Sequence, residues 1–145
     1  IAVEEGFSKT PYYDTLRIPT YGHGFVCGHK NDPLPDISIT LQESLNKLRA
    51  RITVDNETLC NNPDLYVAYE KCNDVRRAVM LSMSYQLGIY GVLKFKGMLS
   101  AISKRDWEKA AKECLDSLAA RQTPKRYVRN ASMLKFGVLD AYYKQ

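Results

Sequence analysis

At 145 residues, with 45% apolar and 26% charged side chains, the chain can bury a real hydrophobic core and reads as an ordinary soluble globular protein, either one domain or two lobes sharing a helix. No run approaches the roughly 18 apolar residues of a membrane span, and no basic segment followed by an apolar stretch marks a signal peptide, so neither is expected. The net charge of +5 is uneven: ten basic residues stand against five acidic ones from Lys104 onward, with eleven of each before it. A basic C-terminal half suits a polyanionic partner or is a solvated helical surface.

In chain order, Ala2 to Glu5 read as the end of a helix stopped by Gly6. Pro11 with Tyr12 to Asp14, and then Thr20 to Cys27, read as strands of a small antiparallel sheet around a turn carrying Arg17 and Pro19. In that reading Tyr21, His23, Phe25 and Cys27 alternate to one face, with Gly22, Gly24 and Gly28 on the other. The stretch NDPLPDISI at 31–39 is loop. Thr40 opens T-L-Q-E, a capping box with Glu43, ahead of Leu41, Leu45, Leu48 and Ile52 at helical spacing, which predicts a helix over about 41–56. CNNPDLY at 60–66 reads as loop. From Asn73 the chain is helical: an almost wholly apolar segment from Asp74 ended by Gly88 and Gly91, then helices at Lys96 to Ser103, Asp106 to Leu118, Pro124 to Leu134 and Leu139 to Tyr143. The first motif begins within a few residues of Ile1, so a processed terminus or a longer parent protein is expected.

Within this order Glu5, Asp14 and Thr20 form E-x8-D-x5-T. Two carboxyl groups on different elements suit glycosidic hydrolysis, in which one protonates the leaving oxygen and the other activates water or attacks carbon. His23, Cys27 and His29 have donor types suited to zinc and period-two spacing, but no fourth ligand follows at a fixed spacing, and no metal is expected. Cys27, Cys60, Cys72 and Cys114 could pair in three ways; a core of this size does not need disulfides, which favours free thiols.

The tracts VEEGFSKTPYYD, TYGHG, NDVRRAVMLSMSYQLGIYGVLKF, KRDWEKAA, QTPKR and LDAYYK, in this order, resemble the T-even phage lysozymes, a glycoside hydrolase family that cuts peptidoglycan. The resemblance runs from Asp74 to Gln145 without a gap, while Phe25 to Asn73 matches loosely. It implies an α+β, mainly α, lysozyme-like fold: a sheet lobe over about 11–40, a connecting helix over about 41–56, and a helical lobe over about 60–145 on which the N-terminal helix packs. It implies a muramidase that hydrolyses the β-1,4 bond between N-acetylmuramic acid and N-acetylglucosamine, with inversion and no cofactor. Glu5 would be the general acid, Asp14 would orient or activate water, and Thr20 would hold that water. Arg126 would orient the acid, and Val26, Tyr85 and Gln86 would contact sugar. Tyr85 replaces a phenylalanine, Met98 and Glu113 replace small polar residues, Phe25 a histidine and Arg17 a turn glycine. The expected partner is bacterial peptidoglycan, with the basic half facing the anionic envelope, no nucleic acid, and a monomeric state. The expected place is the host bacterial cytoplasm for synthesis and the cell wall for action, ending in lysis. A lytic transglycosylase needs no base carboxylate, and a non-catalytic lysozyme-like binding domain of a larger phage structural protein needs no intact set; both are alternatives.

Overall fold

A computed structural model describes residues 1–144. Only Gln145, the last residue of the tract that carries the resemblance, lies outside the described residues. The fold is α+β and mainly α, of lysozyme-like class. The chain divides into two compact units, Ile1–Thr53 and Val54–Gln145, with one long helix running through the division.

The first unit opens with α1 (Ala2–Glu5), a single turn whose end is fixed by Gly6 N–H donating to Ala2 O. Three strands follow, β1 (Ser8–Tyr13), β2 (Pro19–Gly22) and β3 (Phe25–Val26), in an antiparallel meander of that order. One expectation is corrected here. Thr20 to Cys27 is a hairpin and not a single strand: Tyr21 pairs with Phe25 across a three-residue turn at 22–24. Gly22 and Gly24 hold φ of 61° and 85° there, a region that side chains disfavour and glycine enters freely. The alternation of Tyr21, His23, Phe25 and Cys27 on one face therefore ends at the turn.

The helix α2 (Leu41–Asn61) begins at the expected box: Glu43 N–H donates to Thr40 Oγ1 at 3.1 Å, and the Thr40 hydroxyl donates to Glu43 Oε1 at 3.0 Å. It runs five residues beyond the expected end near 56, to Asn61. The supposed loop at 60–66 contains the start of α3 (Pro63–Tyr69). Asn62 caps it by accepting from the N–H groups of Asp64 and Leu65, and Pro63 takes the first helical position, where its missing N–H costs nothing.

The remaining helices are α4 (Asp74–Leu93), α5 (Lys96–Ser103), α6 (Trp107–Leu115), α7 (Leu118–Gln122) and α8 (Pro124–Phe136), with a 3₁₀ turn at Ala141–Lys144. The α4 helix breaks at Gly88, φ 73° and ψ 166°, and then resumes to Leu93, so Gly88 kinks it and does not end it. The single helix expected from Asp106 to Leu118 is two, because Ser117 starts α7 by accepting from Ala120 N–H. The hydrophobic core of this second unit gathers Leu59, Leu65, Tyr69, Val79, Met80, Met83, Met98, Ile102 and Leu134 among others. Arg76 locks the end of α8 onto α4: its guanidinium donates to Leu134 O at 2.8 Å and Lys135 O at 3.1 Å and lies 3.8 Å over the Trp107 ring. The orphan carbonyls of a helix C-terminus thus find donors.

Candidate active site

Asp14 directly follows β1, and its side chain builds the turn to β2. Its Oδ1 accepts from Leu16 N–H and Ile18 N–H, each at 2.8 Å, which holds one face of the carboxylate in place. Thr20 is 4% exposed, and its hydroxyl donates to Ile18 O at 2.9 Å. Ile18 therefore anchors both groups, its N–H on the carboxylate and its carbonyl on the hydroxyl. Having donated its proton, the Thr20 oxygen faces any further partner as an acceptor.

This turn carries Arg17 at φ 64°, a left-handed conformation that a side chain enters at a cost of about 1–2 kcal/mol. The surroundings hold it there. Asn31 N–H donates to Arg17 O at 2.9 Å, and the guanidinium lies 4.0 Å over the Tyr13 ring. The arginine in place of a turn glycine is thereby accommodated without loss of the Asp14 turn.

Glu5, half-buried at the end of α1, brings its carboxylate against the β2–β3 turn: a Cβ added to Gly24 would stand 2.9 Å from Glu5 Oε2. Glycine at 24 is thus required twice, by its φ and by the approach of Glu5. Beside it His23 is 3% exposed, with Nδ1 hydrogen-bonded to Ser44 Oγ at 2.6 Å and the Phe7 ring 5.4 Å away. Burial pushes the His23 pKa down and outweighs the opposing pull of the Glu5 charge. Tyr12 reports on both carboxylates: burial first, then the charges of Glu5 and Asp14, raise its phenol pKa. The Tyr12 phenol thus feels both carboxylates, Glu5 beside the β2–β3 turn and Asp14 in the β1–β2 turn.

Val26 lies in β3 and is 64% exposed, open to a ligand. Phe25, where the resemblance has a histidine, is buried, edge-on to Tyr21 at 5.9 Å and under Lys47 Nζ at 4.6 Å. The other expected site residues lie in the second unit. Gln86 uses both ends of its amide there, accepting from the Tyr127 hydroxyl at 2.9 Å and donating to Thr123 Oγ1 at 3.3 Å. Tyr85 is buried, so little of its ring is open for stacking. Arg126 is buried as well and donates through Nη2 to Ser82 Oγ at 2.9 Å and Ser82 O at 3.3 Å.

His29 is exposed and faces Asp32 at 3.4 Å, whereas His23 is buried on Ser44; the hairpin separates the two histidines that a straight strand would have aligned. Among the described residues no group of three or more His, Cys, Asp or Glu side chains could hold a metal ion. The four cysteines are thiols, and burial pushes Cys72 up to about 11 and Cys114 up to about 12. Sequence reasoning missed the structural parts of His23, Gly24 and Tyr12. The signal for the first two was present in G-H-G, which reads as readily as a turn as it does as strand.

The family model described as phage lysozyme matches residues 2–125 of this chain. The chain is 33% identical over 121 residues to "Probable T4-type lysozyme 1" of Dictyostelium discoideum, covering 83% of this chain and 69% of that protein. It is 31% identical over 121 residues to "Probable T4-type lysozyme 2" of the same organism, with the same coverage. Over 159 aligned positions it is 27% identical to "Pre-baseplate central spike protein Gp5" of Enterobacteria phage T4; the match takes in 96% of this chain and spans only 27% of that protein's length.

Proposed function

This chain belongs to the phage lysozyme family, and from that premise we propose a muramidase that hydrolyses the β-1,4 bond between N-acetylmuramic acid and N-acetylglucosamine with inversion. Membership by itself makes the chain a lysozyme-like peptidoglycan hydrolase, a glycoside hydrolase. The finer reading assigns Glu5 to protonating the leaving oxygen, Asp14 to drawing a proton from the attacking water, and Thr20 to holding that water.

The observation that carries it is the shared anchor at Ile18. A carboxylate and a hydroxyl fixed to the two sides of one residue are held at a set separation. The hydroxyl has spent its proton on the Ile18 carbonyl and can accept from water. With Oδ1 engaged by the turn, Oδ2 of Asp14 is the oxygen assigned to the water. Positioning of this kind, set before substrate arrives, is what lowers the barrier when nucleophile and base must meet in one geometry. Val26, exposed in the neighbouring strand, supports sugar on the same side. The place of action in this reading is the bacterial cell wall, whose cutting lyses the cell.

The likeness to the spike protein favours a second reading, a lysozyme-like domain carried by a larger phage structural protein; the variant of it that differs in chemistry is a domain that holds peptidoglycan without cutting it. One experiment separates the two. Purified peptidoglycan is incubated with the protein and with Glu5→Gln, and the released fragments are analysed by mass and by the anomeric form first produced. Reducing muramic ends of inverted configuration, lost in Glu5→Gln with glycan binding kept, support the proposal. Anhydro ends indicate a transglycosylase, and bound but uncut peptidoglycan indicates a binding domain.

A further inference from the structure

The sheet carries a row of residues one of which has no role yet. Tyr12 in β1 stands directly opposite Thr20 in β2, and Thr20 directly opposite Val26 in β3. Residues opposed across antiparallel strands present their side chains to the same face, with Cβ atoms about 4.5–5.5 Å apart. Tyr12, Thr20 and Val26 therefore cross one face in line. The proposed water holder is in the middle, an exposed apolar residue on one side and a 39% exposed tyrosine on the other. Tyr13, the next residue, turns to the opposite face, where its hydroxyl donates to Asp32 O at 2.7 Å. The Tyr12 hydroxyl, among the described residues, has no such bond.

We propose that Tyr12 is a substrate-positioning residue of the glycosidase site: its ring flanks the sugar whose bond is cut, and its hydroxyl donates a hydrogen bond to that sugar. A tyrosine suits this because it offers an apolar face for the sugar ring and a polar tip at the edge. The position suits it as well, because the Tyr12 phenol lies within the field of both Glu5 and Asp14, the groups that would flank the scissile bond. A phenol is a donor throughout the neutral range, and burial first, then these charges, raise its pKa further. The inference rests on the reading of Glu5, Asp14 and Thr20 as the catalytic set.

The test uses Tyr12→Phe and Tyr13→Phe, each in the parent for turnover on purified peptidoglycan and in Glu5→Gln for co-sedimentation with intact peptidoglycan, with melting temperatures for all. Tyr12→Phe keeps the melting temperature and loses about tenfold in turnover, the order of one net hydrogen bond, with a comparable weakening of binding in the Glu5→Gln background. Tyr13→Phe behaves in the opposite way, melting earlier with turnover unchanged, because its hydroxyl serves the fold. The inference is overturned if Tyr12→Phe stays within twofold of its parent in both turnover and binding, or if its losses follow a lowered melting temperature. A parent that releases no fragments refutes the catalytic reading instead, and the binding comparison still decides the part played by Tyr12.

Discussion

Replacing Gly24 by alanine tests whether the position of Glu5 is set by the β2–β3 turn. Two effects add. The backbone at 24 holds φ +85°, and an alanine in left-handed backbone costs about 1–2 kcal/mol. The new Cβ would also stand 2.9 Å from Glu5 Oε2, where ordinary contact begins at 3.4 Å, so the carboxylate must retreat by about half an ångström. The retreat itself is cheap, because Oε2 is the far end of a flexible side chain. Its consequence is for chemistry, since misplacing a reacting group by about 1 Å can cost on the order of a hundredfold. A domain stable by about 5–15 kcal/mol remains folded at 25 °C after losing 1–2, so lost activity cannot be lost protein. Clearing of purified peptidoglycan at 25 °C is expected to slow by roughly tenfold to a hundredfold, and calorimetry is expected to show a lower melting temperature. If Gly24→Ala is destabilised but clears peptidoglycan within about twofold of the parent, the turn does not position the acid and the reasoning fails.

Asp14 distinguishes structure from chemistry by the choice of substituent. Asp14→Asn keeps an oxygen to accept from Leu16 and Ile18 and should retain the melting temperature while losing activity; Asp14→Ala loses both bonds, about 2 kcal/mol together, and should lose both properties. Equal destabilisation of the two variants, or an active Asp14→Asn, counts against this assignment. The lowered pKa of His23 implies a pH effect of known sign: below about pH 6.5 the unfolded chain takes up a proton that the buried ring resists, so stability falls with pH until the folded ring also titrates. Denaturant midpoints at pH 7.5 and pH 5 should therefore differ more for the parent than for His23→Gln, and an equal difference in both would show that the ring is not held neutral.

What could be read from the chain before its structure follows from the range of the interactions. The start of α2 was legible because the Thr40 and Glu43 partners lie three residues apart, and α5 was found at its own bounds because its apolar spacing is local. The hairpin at 22–24 was not, because period-two alternation in TYGHGFVC continues through G-H-G, and only the positive φ of Gly22 and Gly24 reveals that the chain reverses. The start of α3 was hidden by ambiguity of another kind: Asn-Asn-Pro is a turn signal, and the same residues serve as N-cap and first helical position. For the site, the resemblance, more than the triplet spacing, made Glu5, Asp14 and Thr20 candidates, and nothing in either shows that Ile18 anchors two of them or that Gly24 makes room for the third. Gln86 and Arg126 lay furthest out of reach. Their partners Tyr127 and Ser82 stand 41 and 44 residues away, and such pairs exist only once the helices pack.

The two units solve the problem of order by different means, and the difference bears on why the chemistry sits where it does. Every buried residue of the large apolar cluster comes from the second unit, between Leu59 and Leu134. In the first, the buried apolar side chains among the described residues are Pro19, Phe25, Ile39 and Leu48, and Thr20, His23 and Ser44 are buried as well. A three-stranded sheet with so few apolar contacts needs other support. It comes from short polar links at the turns: Asp14 on Leu16 and Ile18, Thr20 on Ile18, and His23 on Ser44. Polar groups fixed by such links are already oriented and partly shielded from water, which is the condition under which a carboxylate and a hydroxyl act on a bound reactant without first reorganising. The bonds that let so small a sheet hold its shape therefore also prepare Asp14 and Thr20 for the roles proposed for them. For this reason a substitution at either residue has to be judged by stability and activity together.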